Sequence, residues 1–276
     1  MNHLLKFYVF LSCLAVLFVN PCLLEGTNGA YLIGYGAKSK GMGGVSIALP
    51  QETLVALTNP AGMVFLGNRY DIGAGYIYSQ YWETIKNNSF GKDGHADLNT
   101  FRNVPYIEAG YNRMLSPRCS VGVTGAPLAG GIIFHRKRDS DTPGEGPHKL
   151  TVAYPAISPC AAMKIGDNQG VGISLDLVAA LLNVQGFQSI VNRDGSAYPD
   201  KVTNNGWDFA PGFGVRIGWM MHVTPCFSVG LGYRSQTFMA SFDKYKGLLT
   251  PKGRANLPQS VDFGVSFYPS ASTVVA

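Results

Sequence analysis

Charge is scarce in this chain: 14% of its 276 residues are Asp, Glu, Lys or Arg, against about 25% in ordinary soluble domains. Long apolar runs are scarce too. Mean hydropathy is only +0.08, and a helical span needs about 20 consecutive apolar residues, so a helical membrane protein is excluded. Of five cysteines, two fall in the first thirty residues, which leaves Cys119, Cys160 and Cys226. An odd number excludes a fully paired disulfide framework, allows at most one bridge, and offers no metal-ligand spacing. The net charge of +5 is spread along the chain with no dense basic tract, so there is no nucleic-acid signature. His3, His95, His135, His148 and His222 form no catalytic constellation with Ser or Asp. No phosphate loop or paired-carboxylate pattern is visible either. Neither an enzyme nor a cofactor is expected.

What is present points elsewhere. The chain holds 34 glycines, 15 Phe and 14 Tyr. Its start follows a secretory pattern: Lys6 supplies a positive n-region, Phe7 to Val19 an apolar run, and Pro21 a break, with Ala30 a small residue at which to cleave. Residues 1–30 are therefore read as a signal peptide. The apolar run is shorter than a bilayer span, which argues against an uncleaved anchor, and no lipobox precedes Cys13 or Cys22.

From Tyr70 onward the hydrophobic period is two. Tyr70, Ile72, Ala74, Tyr76 and Tyr78 alternate with Asp71, Gly73, Gly75, Ile77 and Ser79, giving one greasy face and one roomy, mostly polar face. The same alternation recurs around Val171–Leu177, Phe213–Trp219, Val229–Tyr233 and Val261–Phe267. Strands are predicted near 69–81, 103–113, 119–130, 151–165, 170–188, 206–223, 226–242 and 259–268. A soluble sandwich also alternates, but here the joints alternate between short (114–118, 166–169, 224–225) and long (82–102, 131–150, 189–205, 243–258). Short periplasmic turns with long outer loops are the rhythm of an outer-membrane β-barrel. Trp207 and Phe209 near one end of a strand, with Trp219 near the other, fit the two interfacial aromatic girdles. Pro127 lies within Gly125-Ala126-Pro127-Leu128-Ala129-Gly130-Gly131, where it removes a ladder donor, and a kink or bulge is predicted there.

Residues 31–68 precede the wall and are read as a plug, Gly-rich at the start and closing on Asn59-Pro60-Ala61-Gly62. The remainder, 69–276, is a partial barrel. Residues 268–276 resemble a short turn followed by the start of a ninth strand. Eight strands enclose an interior that only just fits its own side chains, so either the plug lies outside or the chain is incomplete.

Gly41-Met42-Gly43-Gly44 followed by Asn59-Pro60-Ala61-Gly62 resembles the N-terminal hatch of the FadL/TodX family of outer-membrane transporters of long-chain fatty acids and other hydrophobic compounds. The likeness continues, in the family's order, through Ala126-Pro127-Leu128-Ala129-Gly130, Gly232-Tyr233-Arg234-Ser235 and Leu257-Pro258-Gln259-Ser260-Val261. It implies an all-β, antiparallel transmembrane barrel of fourteen strands around a short helical hatch, of which eight are visible here. A truncation, a frameshift or a partial gene would all give this pattern. The resemblance implies passive diffusion of a long-chain fatty acid or similar molecule through the plugged barrel. It also implies sideways release at the third-strand kink of Gly125, Pro127 and Gly130, and a greasy N-terminus of Tyr31, Leu32 and Ile33 near the ligand groove.

A fatty acid needs an apolar groove and one or two cations for its carboxylate. Arg216 and Arg234 lie opposite the greasy face and are the candidate carboxylate ligands. The alternative is that they pair with Asp71, Glu108, Asp176, Asp208 or Asp262 and only stiffen the wall. In the hatch, Asn59 and Pro60 are expected to start a tight turn, with Gly62 at positive φ, after a short helix Glu52 to Leu57. This turn either belongs to a plug that shifts or is a plain junction. His135-Arg136-Lys137-Arg138 is a candidate contact for lipopolysaccharide phosphates or a solvated loop face. A complete barrel is expected to be a monomer. The rival functions are a porin-like channel of little selectivity, a structural or adhesive barrel acting through its loops, and a fragment with no activity.

Overall fold

A computed structural model describes residues 31–78, 82–87, 93–97, 103–135, 148–187, 191–192, 195–249, 253–270 and 272–276. The leader and the basic residues Arg136, Lys137 and Arg138 lie outside these ranges. The frame is β1 (Arg69–Tyr78), β4 (Asn103–Ser116), β5 (Cys119–His135), β6 (His148–Ile165), β7 (Gln169–Gln185), β8 (Asp208–Thr224), β9 (Phe227–Arg234) and β11 (Ser260–Ser270). Each of these long strands pairs antiparallel with the next, and β12 (Thr273–Val275) adds to β11. A separate small hairpin, β2 (Trp82–Ile85) with β3 (Gly94–Asp97), occupies part of the first long joint.

The period of two explains which side chains face out. Tyr70, Ile72, Ile107, Phe213, Ile217 and Phe263 are between 52% and 79% exposed, and they come from strands all along the sheet. A continuous apolar face of this kind is stable against lipid rather than water. Among the described residues no helix is long and apolar enough to cross a membrane.

The other face is covered by residues 31–68. This segment contains a short helix α1 (Ala37–Gly41) and two 3₁₀ helices, Thr53–Leu57 and Pro60–Phe65. Leu54, Val55, Ala56, Leu57, Ala61, Met63 and Val64 are all buried to within 2%, and each large one stabilises the seating by about 1.5–3 kcal/mol. Glycines on the inner face make the close approach feasible. A Cβ at Gly172 would lie 2.5 Å from the Pro60 carbonyl carbon, one at Gly218 2.0 Å from Asn59 Oδ1, and one at Gly230 2.3 Å from the Ile47 oxygen. The "roomy" face of the alternation is thus the seat of the plug.

The structure differs from the sequence reading in three places. Asn59 to Gly62 is not a turn with Gly62 at positive φ: Gly62 is absent from the positive-φ glycines and sits inside the second 3₁₀ helix, whose N-cap is Asn59. Glycine is needed there for space, since a Cβ would come within 2.9 Å of Pro50 Cβ and 3.0 Å of Val55 Cγ2. The predicted strand 226–242 stops at Arg234. Pairing with β8 resumes one residue out of step, with β10 (Phe238–Met239) against Phe213 and Gly212. The following joint is folded rather than looped: Phe242 and Tyr245 are fully buried and pack with Val178, Ala180, Leu182 and Val184 of β7. Pro127 does mark an irregularity. The β5–β6 register slips between Pro127 and Ala129, and β5 pairs with β4 only as far as Gly125, so Ala126–Gly131 leave the β4 edge.

Candidate functional site

The plug is held to the wall by polar bonds at several heights. Asn59, fully buried, accepts from the Ala61 amide at 3.1 Å and donates through Nδ2 to the Ile47 oxygen at 2.7 Å and to the Trp219 oxygen of β8 at 3.0 Å. Its neighbours Pro60, Ala61 and Gly62 are buried with it. Lys40 Nζ reaches Glu108 of β4 at 2.5 Å. Asp71 of β1 accepts from the Thr53 amide and hydroxyl at 2.8 and 2.9 Å and pairs with Arg69. Glu52 accepts from the first-turn amides of Lys38 and Ser39, placing a negative charge at the start of α1.

Near the kink the plug touches the wall twice more. Tyr31 forms a bridge with Ala129, and Tyr35 donates its hydroxyl to the Leu128 oxygen at 2.8 Å. Burial pushes the Tyr35 phenol above its ordinary range, with Arg216 and Arg234 pulling partly back, so it is a donor throughout the neutral range. Gly125 is the last β5 residue paired to β4, while Gly130 pairs normally with Ala153. The slip centres on Leu128, whose side chain is fully buried.

Arg216 and Arg234 face one cavity of about 250 Å³, lined also by Tyr31, Thr58, Gln259 and Asp262. The two arginines are direct partners across β8 and β9. Arg216 is 3% exposed and its Nε donates to Asp176 Oδ2 at 2.8 Å. Arg234 lies over the Tyr31 ring at 4.1 Å, a cation–π contact. Arg216 Nη2 and Arg234 Nε are buried and have no partner among the described residues. Of the carboxylates that could have neutralised them, Asp71 and Glu108 serve the plug, Asp208 accepts from the Lys244 amide, and Asp262 accepts from Ser260. Only Asp176 pairs with an arginine of the cavity. Sequence reasoning named both arginines but not their shared cavity, because strand register decides which side chains meet.

Cys119, Cys160 and Cys226 are all unpaired. Among the described residues no group of three or more His, Cys, Asp or Glu could hold a metal ion. His135 ends β5, and the rest of the basic cluster is outside the described residues.

Solved structures share this architecture. The chain matches the P. putida toluene transporter TodX with a TM-score of 0.67 at 18% identity, over 88% of this chain and 69% of that one. It matches the Ralstonia pickettii toluene transporter TbuX at 0.61 and 17%, over 87% and 69%. It matches a Pseudomonas aeruginosa FadL homologue at 0.56 and 13%, over 88% and 67%. No protein-family model and no curated protein sequence matches it. The fold is therefore shared with these transporters: an antiparallel wall with an N-terminal plug on its inner face.

Proposed function

We propose that this chain lies in the outer membrane of a Gram-negative cell as the plug and wall of a channel for hydrophobic molecules with an anionic head. Long-chain fatty acids are the representative class. The reading rests on one observation above the others: Arg216 Nη2 and Arg234 Nε are buried donors without partners that belong to one cavity. A carboxylate can take both in charge-assisted bonds, and no bond need be broken.

The surroundings suit an amphiphile. Leu57, Tyr35, Tyr31 and Leu32 line the cavity and also belong to or pack against an apolar cluster that continues through Leu54, Leu128 and Ala126, and this side would receive the tail. Past Gly125 the β5 edge is free of β4 and is bridged by Tyr31 at Ala129, and this stretch, with Gly125, Pro127 and Gly130, is the sideways route. Asn59, Pro60, Ala61 and Gly62 act as the plug's anchor to β8. Passage is by diffusion, with the plug shifting rather than leaving.

A second reading is uptake of neutral aromatic hydrocarbons. It is favoured by the toluene transporters named above and by the same apolar cluster. The two separate on Arg234→Ala in the purified chain. Loss of a buried bond to a charged group should weaken oleate binding roughly tenfold to a hundredfold, whereas toluene binding should not change. Bilayer conductance that ignores oleate would instead favour a porin of little selectivity.

A further inference from the structure

Strands β6 and β7 pair along their length except at two places. The register runs from Ile165↔Gln169 to Cys160↔Ser174, resumes at Ile157↔Leu177 and Ala156↔Val178, and resumes again from Ala153↔Leu181 to Lys149↔Gln185. The interruptions are Ser158-Pro159 and Tyr154-Pro155. Proline has no N–H to give, so each interruption removes a backbone bond from the same seam. Pro155 is also opposite Pro127 on the β5 side. On the β7 side it is level with Ala179, which pairs with Pro211 of β8. Three prolines thus lie at one height across four neighbouring strands.

A side-chain bond crosses the seam where the backbone does not. Ser158 Oγ donates to Asp176 Oδ1 at 2.7 Å, and neither residue is exposed to solvent. The other oxygen of that carboxylate accepts from Arg216 Nε. One buried carboxylate therefore joins the weakened seam to a guanidinium of the cavity, although neither Ser158 nor Asp176 lines the cavity itself.

We infer that Ser158 and Asp176 form a clasp that holds the β6–β7 seam closed, and that an anionic ligand bound at Arg216 Nη2 and Arg234 Nε loosens it by weakening the hold of Arg216 on Asp176. The second half rests on the carboxylate reading above. Ser158 and Asp176 are positioning residues: their effect on the ligand passes through Arg216, and their effect on the wall passes through the seam. Pro155 and Pro159, which weaken this ladder, let the seam answer to a single side-chain bond.

Amide hydrogen exchange on the full chain in detergent tests both halves. Without ligand, Ser158→Ala should speed exchange over residues 175–180 about tenfold, the share of one bond to a charged acceptor, and leave 217–221 unchanged. Pro155→Ala combined with Pro159→Ala should slow the same residues by returning two donors. Saturating oleate should speed exchange there in the unmodified chain and not in Ser158→Ala, where the clasp is already gone. Equal rates for the unmodified chain and Ser158→Ala would overturn the clasp. Bound oleate with unchanged seam exchange would overturn the coupling. Absence of oleate binding would overturn the carboxylate reading and the coupling with it, while the ligand-free variants would still decide the clasp.

Discussion

Arg216 of β8 stands directly opposite Arg234 of β9. Like charges opposed across a ladder repel, and in this pair only one has a counter-ion, Asp176, while the other rests on the Tyr31 ring. Asp262 also lines the cavity but makes no ion pair with Arg234 among the described residues, so Arg234 keeps a donor that a carboxylate head would engage and a neutral hydrocarbon would not.

The Arg216–Asp176 pair is almost wholly buried, so breaking it from one side leaves a stranded charge. Arg216→Met or Asp176→Asn alone should destabilise the fold by about 3–5 kcal/mol, and the double variant by much less than their sum. Urea unfolding of the four proteins checks this, and additive losses would show the pair to be uncoupled.

Asn59, fully buried, satisfies two carbonyls and one amide where the plug meets β8. Asn59→Ala leaves all three without it, at about 1–3 kcal/mol for each buried group. Asn59→Asp keeps the cap and loses only the donors. Single-channel recordings should show leak openings that increase from the unmodified chain through Asp to Ala.

A Cβ at Gly218 would press on Asn59, whereas one at Gly131 would meet nothing within 4 Å. Gly218→Ala should therefore expose the plug to limited proteolysis, and Gly131→Ala should not. Equal cleavage of the two would mean that the inner glycines are not the plug's seat.

Tyr35 is the plug's hydroxyl tie to the slipped strand at Leu128. Tyr35→Phe keeps the packing and should lower stability by about 1 kcal/mol. If that tie limits access at the kink, oleate should also dissociate faster, which stopped-flow fluorescence would report.

The wall was legible because burial on one face forces a period of two, and Tyr70 to Tyr78 or Val261 to Phe267 can satisfy it only as strands. The kink was legible because Pro127 cannot donate. The slip after Arg234 was not, since Ser235, Gln236 and Thr237 break the alternation without a proline or glycine to mark how. Nor was the inward folding of 242–249, whose Phe242 and Tyr245 read equally well as loop aromatics. Asn59 looked like a turn residue because a turn and a 3₁₀ N-cap ask for the same side chain. Asp176 was one of five carboxylates with the right facing, and only register could select it.

Comparing oleate with methyl oleate on the purified chain tests the central claim most directly, because the two differ in the charge of the head and hardly in the tail. The account predicts that oleate binds roughly tenfold or more tightly, as expected for a charge-assisted bond, and that Arg234→Ala abolishes the difference. Equal affinity for the acid and the ester in the unmodified chain would contradict it.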